Sequence, residues 1–344
     1  MNKPILVLKL GTASITTTKG ELDEQVIADV TRQVAEIAKD YRLIIVSSGA
    51  VAAGKKYIKN YKGKIAERKA AASIGNPLLL GTYSKHFLPY NISIAQSLCE
   101  RQHFSNRKQF LQLKETYEEL WKNGVIPIAN ENDVVSSLEL KFSDNDELAT
   151  LLGVGFGASV ILLGTSVPGV LDREGKVIER IESINNDIFS LADKNKSDLG
   201  LGGMISKLTF AHLATVMGIK VVIFGVRSTN GILNAVKEHT GTVCMPKEGN
   251  VSARNKWLAS GSLVTGRVRV DDGACEAIRK RKSLLAVGVL EVTEKFSDGE
   301  IFEITDKEQH IIAVARAKTS SEKMIENLKQ HNLEIANASD IVIL

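Results

Sequence analysis

Acidic and amide side chains are concentrated in one short stretch of the chain, residues 129–149. Residues 130–133 read Asn-Glu-Asn-Asp, residues 144–146 read Asp-Asn-Asp, and an apolar run at residues 125–128 precedes both clusters. One interpretation is a polar loop between a strand and a helix, because such side chains bond free backbone N–H groups in turns and helix caps. The alternative is a substrate loop, because open α/β sheets bind ligands at the carboxyl ends of their strands.

Lys9 is the one charged residue in the apolar run of residues 5–10. A lysine inside a buried strand costs desolvation free energy unless an anion accompanies it. The alternative is that its ammonium group reaches water from the strand end. Gly11 and Thr12 follow directly in a turn that could wrap a phosphate, so we favour an anion-binding role.

A second lysine follows the glycine-rich stretch of residues 200–203, which reads Gly-Leu-Gly-Gly. Glycines let backbone N–H groups approach phosphate oxygens, and Lys207 stands where we expect the following helix to begin. The glycines alone would equally suit a flexible surface loop. The lysine behind them favours phosphate binding.

Residues 49–55 match the pattern GxxxxGK of a phosphate-binding loop, but Lys56 stands where that loop needs Ser or Thr to hold Mg²⁺. We therefore interpret Ser48 and Gly49 as a tight strand-to-helix turn whose hydroxyl and N–H groups face a ligand. No GxGxxG follows the first strand, so the sequence does not support a dinucleotide-binding fold.

Two lysines, a glycine-rich stretch and a separate cluster of carboxylates and amides suit phosphoryl transfer, which depends on positive charge around the transferred group. If the acceptor is itself a carboxylate, two unit charges about 4 Å apart repel by ~4 kcal/mol at an effective dielectric constant near 20. Lysines and Mg²⁺ would offset this repulsion, and Asp144 and Asp146 would hold the lysines. A carboxylate is already deprotonated at neutral pH, so the reaction needs no general base.

Buried strands that alternate with helices position these residues. The apolar runs predict strands at residues 5–10, 43–46, 92–95, 125–128, 160–163 and 220–224. Helical spacing predicts a helix capped by Asp23, a stretch at residues 66–80 broken at Gly75 and Pro77, a helix at residues 110–121 and a helix that Ser143 introduces. We therefore predict an α/β fold with a mostly parallel sheet sandwiched by helices.

Composition excludes several classes of protein. The 344 residues carry a formal net charge of +4, which does not demand a nucleic-acid partner. Three widely spaced cysteines and no metal-binding spacing among the six histidines predict neither a disulfide framework nor a metal site, and they fit a reducing cytoplasm. We recognise no signal peptide and no stretch near the ~20 apolar residues of a membrane helix.

The pattern changes near residue 250, where residues 254–260 resemble a linker. Short strands at residues 262–270, 284–292, 301–304 and 310–315, a helix at residues 274–282, and a final helix and strand predict a small β-rich domain. We expect domains at residues 1–253 and 260–344.

The chain resembles the amino acid kinase family nearly from end to end. The resemblance is carried by LVLKLGTAS, VSSGAVAAG, IPIANENDVV, FSDNDELA and GLGGMISKL. SLLAVGVLEV and FSDGEIFEI resemble the PUA domain that follows many such kinases. The resemblance implies ATP-dependent phosphorylation of the γ-carboxylate of L-glutamate, the first step of proline biosynthesis, with ATP and Mg²⁺ as cofactors.

The resemblance also implies roles for individual residues. Lys9 and Lys207 would contact the phosphates, and Asp146 would orient both lysines. The residues implied to bind glutamate are Ser48, Gly49, Asp133 and Asn145. Those implied to contact the nucleotide are Lys9, Gly11, Thr165, Ser166, Leu201, Gly202, Gly203, Met204, Ile205, Ser206 and Lys207.

Two positions depart from the family pattern. The family usually has Thr-Asp where this chain has Thr165-Ser166, and Gly-Thr-Gly-Gly where it has residues 200–203. Both departures bear on the nucleotide and leave the glutamate residues intact.

The sequence is also compatible with two other activities. They are a related kinase acting on another carboxylate or a carbamate, and a catalytically silent RNA-binding or regulatory protein. The basic residues of the tail, such as Arg267, Arg269 and Arg279, would suit RNA, but we favour a solvated face balanced by nearby acids. We expect a cytoplasmic homo-oligomer without RNA or membrane partners, and possible hand-off of its acyl phosphate to the next enzyme.

Overall fold

The computed structural model describes residues 3–105, 107–135, 144–194, 203–247, 264–298, 301–328 and 333–343. The chain divides into two compact units, one of Met1–Arg101 with Lys108–Gly249 and one of Gln102–Arg107 with Asn250–Leu344. The linker expected at residues 254–260 lies outside the described residues, so the domain bounds stay a prediction.

An eight-stranded sheet forms the centre of the first unit. The strands are β1 Ile5–Leu10, β2 Arg42–Ser47, β3 Ser93–Cys99, β4 Val125–Glu131, β5 Val160–Thr165, β6 Arg180–Ile181, β7 Lys220–Gly225 and β8 Thr242–Cys244. The helices among residues 3–247 are α1 Thr12–Ile15, α2 Glu24–Ile37, α3 Ala50–Gly54, α4 Ile65–Phe87, α5 Gln102–Ser105, α6 Arg107–Lys122, α7 Asn145–Phe156, α8 Asn186–Lys194, α9 Gly203–Val216 and α10 Gly231–Val236.

The sheet has the strand order β3-β4-β2-β1-β5-β7-β8-β6, and its strand pairs are parallel except for β7 with β8. This confirms the predicted α/β class with a mostly parallel sheet. Parallel strands end at one edge, so the carboxyl ends of β1, β2, β4 and β5 lie side by side. The polar residues that follow those strands therefore share one edge of the sheet.

Alternation along β1 places its side chains on two faces of the sheet. Leu6, Leu8 and Leu10 pack in the core that also contains buried residues of α2 and α4. Helix α7 lies on the opposite face, because a Cβ atom at Gly153 would lie 3.7 Å from Val7 Cγ2. Lys9 shares the face of Val7, so its side chain projects toward α7.

Several predicted element ends differ from the structure. Asp23 caps α2 as expected, but the cap of α7 is Asp144, and Ser143 lies outside the described residues. Strand β4 continues to Glu131, beyond the apolar run at residues 125–128, because its backbone still pairs with β3 after the side chains become polar.

Helix α4 is not broken at Gly75 and Pro77 as the sequence predicts. It runs without interruption for 23 residues, from Ile65 to Phe87. Close packing against α3 explains the glycine, because a Cβ atom at Gly75 would lie 1.7 Å from the carbonyl oxygen of Ala50. The cost of a proline inside a helix is about 3 kcal/mol, and burial of side chains such as Tyr83 and Phe87 offsets it.

The second unit contains a five-stranded sheet of order β11-β9-β12-β13-β15 and a pair β10-β14. Its described elements are β9 Val264–Val270, α11 Asp272–Arg279, β10 Leu284–Leu285, β11 Val289–Glu294, β12 Ile301–Thr305, β13 Ile311–Arg316, α12 Ser321–Ile325, β14 Glu334–Ala336 and β15 Ile341–Ile343. The single strand predicted at residues 284–292 is two strands, because the chain passes from one sheet to the other at residues 286–288.

Two arginines of this unit, Arg267 and Arg269, are paired with acids. Arg267 bonds Glu303 at 2.7 Å, and Arg269 approaches Glu291 at 2.7 Å. These pairs support the interpretation of a charge-balanced face, and the absence of RNA binding stays a prediction. No helix in the described part of the chain combines the length and apolar character needed to cross a membrane.

We predict that Gly75→Ala lowers the free energy of unfolding of the first unit by about 1–3 kcal/mol or more, because a methyl group must displace the backbone of α3. Gly81→Ala is the matched control, because a Cβ atom at Gly81 meets nothing within 4 Å. It should stabilise the helix by about 0.5–1 kcal/mol. Urea denaturation followed by circular dichroism measures both, and equal effects would contradict the packing argument.

Candidate active site

Two lysines from distant parts of the first unit share one carboxylate. Lys9 Nζ lies 2.6 Å from Asp146 Oδ1 as a close ion pair, and Lys207 Nζ donates to Asp146 Oδ2 at 2.8 Å. The three residues are 5%, 6% and 1% exposed for Lys9, Lys207 and Asp146. The structure therefore brings together the three residues predicted to be catalytic, with both ammonium groups flanking one carboxylate.

The charge balance of this cluster favours an anion. The three buried side chains carry one net positive charge, and the half-buried carboxylate of Asp144 adds only the weakest of the attractions on Lys9. Burial, and next the Lys207 ammonium, lower the pKa of Lys9 below its ordinary value, while Asp146 acts in the opposite direction. An anion placed against the lysines would relieve the desolvation cost of the unpaired charge.

Asp146 is fixed at the start of α7 by the residue that caps the helix. Asp144 accepts hydrogen bonds from the backbone N–H groups of Asp146 at 2.8 Å and Glu147 at 3.2 Å. Its other oxygen accepts a hydrogen bond from Ser206 Oγ on α9. The cap therefore ties the first turn of α7 to the helix that carries Lys207.

Helix α9 begins at Gly203, four residues before Lys207 and earlier than the sequence suggests. Gly203, Met204, Ile205 and Ser206 thus form the first turn of a 14-residue helix, whose N-terminus carries partial positive charge. Leu201 and Gly202, also predicted to contact nucleotide, lie outside the described residues.

A cluster of amide side chains lies next to the lysines, which we call the amide cluster: Asn76, Asn130 and Asn145. Asn145 Nδ2 donates to Ser48 Oγ at 2.8 Å and to Asn130 Oδ1 at 2.9 Å. Asn130 Nδ2 donates to Asn76 Oδ1 at 3.2 Å. These bonds therefore join Asn145, which directly precedes Asp146, to the carboxyl ends of β2 and β4.

The turn after β2 has the geometry expected of a ligand-facing loop. Gly49 has φ +109°, in the left-handed region, and it precedes α3. A side chain there would be strained and would contact Ile15, where a Cβ atom would lie 3.1 Å from Cδ1. Glycine thus lets the backbone turn sharply while Ser48 remains bonded to Asn145.

The other predicted residues lie at the same edge of the sheet. A Cβ atom at Gly11 would lie 3.7 Å from Lys9 Nζ, so its backbone borders the lysine pair. Thr165 ends β5, which is paired with β1, and Ser166 follows it on the surface. Asp133 is half-buried just beyond β4.

Sequence reasoning missed Asn76, Arg101 and Glu147. Arg101 forms an ion pair with Glu147, which follows Asp146 on α7 and is 4% exposed. Asn76 lies 5% exposed in an alanine-rich helix. An asparagine in an alanine-rich helix could have indicated Asn76 as a site residue. The Arg101–Glu147 pair could not be predicted from the sequence, because it depends on tertiary structure.

The nearest carboxylates are already engaged, which limits direct binding of a metal. Asp146 contacts two lysines, and Asp144 accepts from two N–H groups and a hydroxyl. Mg²⁺ prefers oxygen ligands and retains water, and it often binds through substrate phosphates. The described side chains therefore suit a Mg²⁺ ion that is held mainly by a nucleotide.

We predict that Asp146→Asn destabilises the first unit by about 3–5 kcal/mol at neutral pH, because it leaves two buried ammonium groups without a countercharge. Adding Lys9→Met should recover part of the loss. Glu174→Gln, in an exposed pair with Lys176, is the control and should change stability by about 0.5 kcal/mol or less.

The loss should also depend on pH. Because the folded-state pKa of Lys9 is lowered, the unfolded chain binds more protons between that pKa and 10.5, so stability rises with pH across this window. The cost of Asp146→Asn should be largest near pH 7 and smaller near pH ~10. A pH-independent loss in urea denaturation would contradict the role of the lysine charge.

Sequence comparisons match both parts of the chain to known families. The profile of the amino acid kinase family matches residues 4–225, and the profile of the PUA domain matches residues 266–338. The chain is 34% identical over 341 residues to a glutamate 5-kinase of Vibrio vulnificus, covering 96% of this chain and 90% of that protein. It is 35% identical over 337 residues to a glutamate 5-kinase of Oceanobacillus iheyensis, covering 94% and 90%.

A solved structure supports the fold of the first unit. Carbamate kinase from Giardia lamblia bound to AMP-PNP superposes with a TM-score of 0.53 at 15% sequence identity, covering 71% of this chain and 99% of that chain. At this identity the likeness concerns the fold alone.

Proposed function

The chain belongs to the amino acid kinase family, and from this premise we propose that it transfers the γ-phosphoryl group of ATP to the γ-carboxylate of L-glutamate. The products are ADP and γ-glutamyl phosphate, and the reaction is the first step of proline biosynthesis. The observation that carries the proposal is the buried pair of ammonium groups, Lys9 and Lys207, held by Asp146.

Electrostatic repulsion is the main obstacle to this reaction. A carboxylate oxygen attacks the γ-phosphorus while the bond to the β-phosphate oxygen breaks, and ADP leaves with that electron pair. Each close pair of unit charges costs ~4 kcal/mol at about 4 Å and an effective dielectric constant near 20. Lys9 and Lys207 offset this repulsion as charge moves from the γ- to the β-phosphate, and no proton is transferred.

Asp146 orients the two lysines. It contacts both lysines and lies in the first turn of α7. A carboxylate acceptor is already ionised, so Asp146 is not needed as a base. It keeps both ammonium groups at one place before substrates arrive.

Glutamate and the nucleotide occupy neighbouring parts of the sheet edge in this proposal. Ser48, Gly49, Asn145 and Asp133 bind glutamate, with Asp133 as a partner of the α-ammonium group. The nucleotide lies along Gly11, Thr165 and Ser166 and the segment from Leu201 through Ser206, next to both lysines. Mg²⁺ accompanies ATP and supplies further positive charge when bound.

The chemistry of the product bears on partners and location. An acyl phosphate hydrolyses readily, so we propose that it is shielded from water and passed to the enzyme that reduces it. The buried cysteines Cys99, Cys244 and Cys275 are unpaired, which suits the reducing cytoplasm we propose. We also propose that the protein is a homo-oligomer.

We predict that Lys9→Met and Lys207→Met each lower kcat by about 10²–10³-fold, because each removes one positive charge from the transition state. Lys176→Met is the control, because that side chain is 76% exposed and should leave the rate unchanged. ADP release with ATP and glutamate measures the effect. Unchanged turnover in both site variants would disprove the catalytic proposal.

We predict that glutamate is phosphorylated and that aspartate and N-acetylglutamate are not. Asn145→Ala should raise the KM for glutamate by about 10-fold or more, because it removes hydrogen bonds in a buried polar site. A γ-phosphate transfer assay with the three acceptors separates the proposal from a related kinase. Activity on aspartate without activity on glutamate would overturn the substrate assignment.

A further inference from the structure

The amide cluster contains one unpaired donor and one unpaired acceptor. Asn76 Nδ2 and Asn145 Oδ1 are buried and have no hydrogen-bond partner among the described residues. Asn76 is 5% exposed, so its free N–H groups are also largely shielded from water. A buried polar group left unpaired costs about 1–3 kcal/mol, which a ligand can recover.

The orientation of the amides follows from one backbone group. The N–H of Glu131 can act only as a donor, and it donates to Asn130 Oδ1 at 2.9 Å. That oxygen also accepts from Asn145, so Asn130 must present its Nδ2 to Asn76. Asn76 consequently presents its oxygen to Asn130, and its NH₂ group is the free end. Asn145 must present its Nδ2 to the oxygen of Asn130, so the free end of Asn145 is its oxygen.

Packing of α4 on α3 brings Asn76 to the site. Cβ atoms at Gly54 and Gly75 would lie 1.9 Å from the Ala71 oxygen and 1.7 Å from the Ala50 oxygen. The backbones of the two helices are therefore in direct contact beside the turn of Ser48 and Gly49. Asn76 directly follows Gly75, so this contact also fixes where its side chain can reach.

We propose that Asn76 is a specificity-determining residue that donates a hydrogen bond from Nδ2 to the α-carboxylate of glutamate. This inference rests on the proposed function. Asn145 Oδ1 accepts from the α-ammonium group of the same molecule, so the free donor and the free acceptor match the two charged groups of an α-amino acid. The cluster thus recognises the end of glutamate that does not react.

The direction of the substrate follows from the order of contacts. The γ-carboxylate must approach Lys9 and Lys207, which are bound to Asp146 next to Asn145 in the chain. Asn76 is two hydrogen bonds beyond Asn145, through Asn130. The end of glutamate remote from the phosphate therefore meets Asn76.

The test compares glutamate with L-isoglutamine, in which the α-carboxylate is an amide and the γ-carboxylate is unchanged. Asn76→Leu should raise the KM for glutamate by about 10- to 100-fold, the effect of a lost hydrogen bond to a charged group, and leave the KM for ATP unchanged. The ratio of kcat/KM for glutamate over isoglutamine should fall by a similar factor.

A second variant separates recognition from a structural role. Asn76→Asp keeps the oxygen that accepts from Asn130 but replaces the free donor with an oxygen that repels a carboxylate. It should raise the KM for glutamate and reduce the preference for glutamate over isoglutamine. Ser73→Ala is the matched control on α4, because Ser73 is exposed and bonds the Lys69 carbonyl. It should change neither quantity.

Each outcome supports or overturns a specific claim. A folded Asn76→Leu or Asn76→Asp variant that keeps the glutamate preference of the unsubstituted protein would overturn the assignment of Asn76. An equal rise in KM for ATP and glutamate in the Asp variant would assign Asn76 a structural role and also overturn it. Failure of the unsubstituted protein to phosphorylate glutamate would instead overturn the proposed function.

Discussion

The site depends on one carboxylate that holds two buried ammonium groups. Without Asp146, the charges of Lys9 and Lys207 would repel each other inside a low-dielectric region, which is costly. With it, the cluster keeps one net positive charge that is poorly hydrated and available to an anion. The unpaired charge that destabilises the free protein would therefore favour a bound phosphate. A site with its charges already in place stabilises a transition state in the same way.

The first turn of α7 links this charge cluster to the residues proposed to bind each substrate. Three consecutive residues have different partners: Asp144 bonds Ser206 of α9, Asn145 bonds Ser48 and Asn130, and Asp146 holds the lysines. Because these contacts lie within a single helical turn, a shift of α7 would disturb the regions proposed for phosphate and for glutamate together. In the proposed function, α7 would therefore hold the two reacting groups at a set distance, which in-line transfer requires.

Much of the fold could be predicted because its signals are local. Apolar runs at residues 43–46 and 160–163 identify buried strands, and their alternation with helices leads to a parallel sheet. The carboxyl end of β4 and the course of α4 could not be predicted this way. Strand pairing continues past the last apolar residue, and packing against α3 carries α4 through Pro77 although local propensity opposes it.

The sequence by itself determined which residues could perform chemistry: a lysine in a buried strand, a second behind a glycine-rich stretch, and acids and amides in one segment. Only the tertiary structure decided that Lys9 and Lys207 meet at Asp146, because that meeting requires strands and helices nearly 200 positions apart to pack together. It alone also placed Asn76 in the amide cluster. The physical reason is that hydrogen bonds and ion pairs between distant segments depend on the positions of whole elements, which local patterns do not specify.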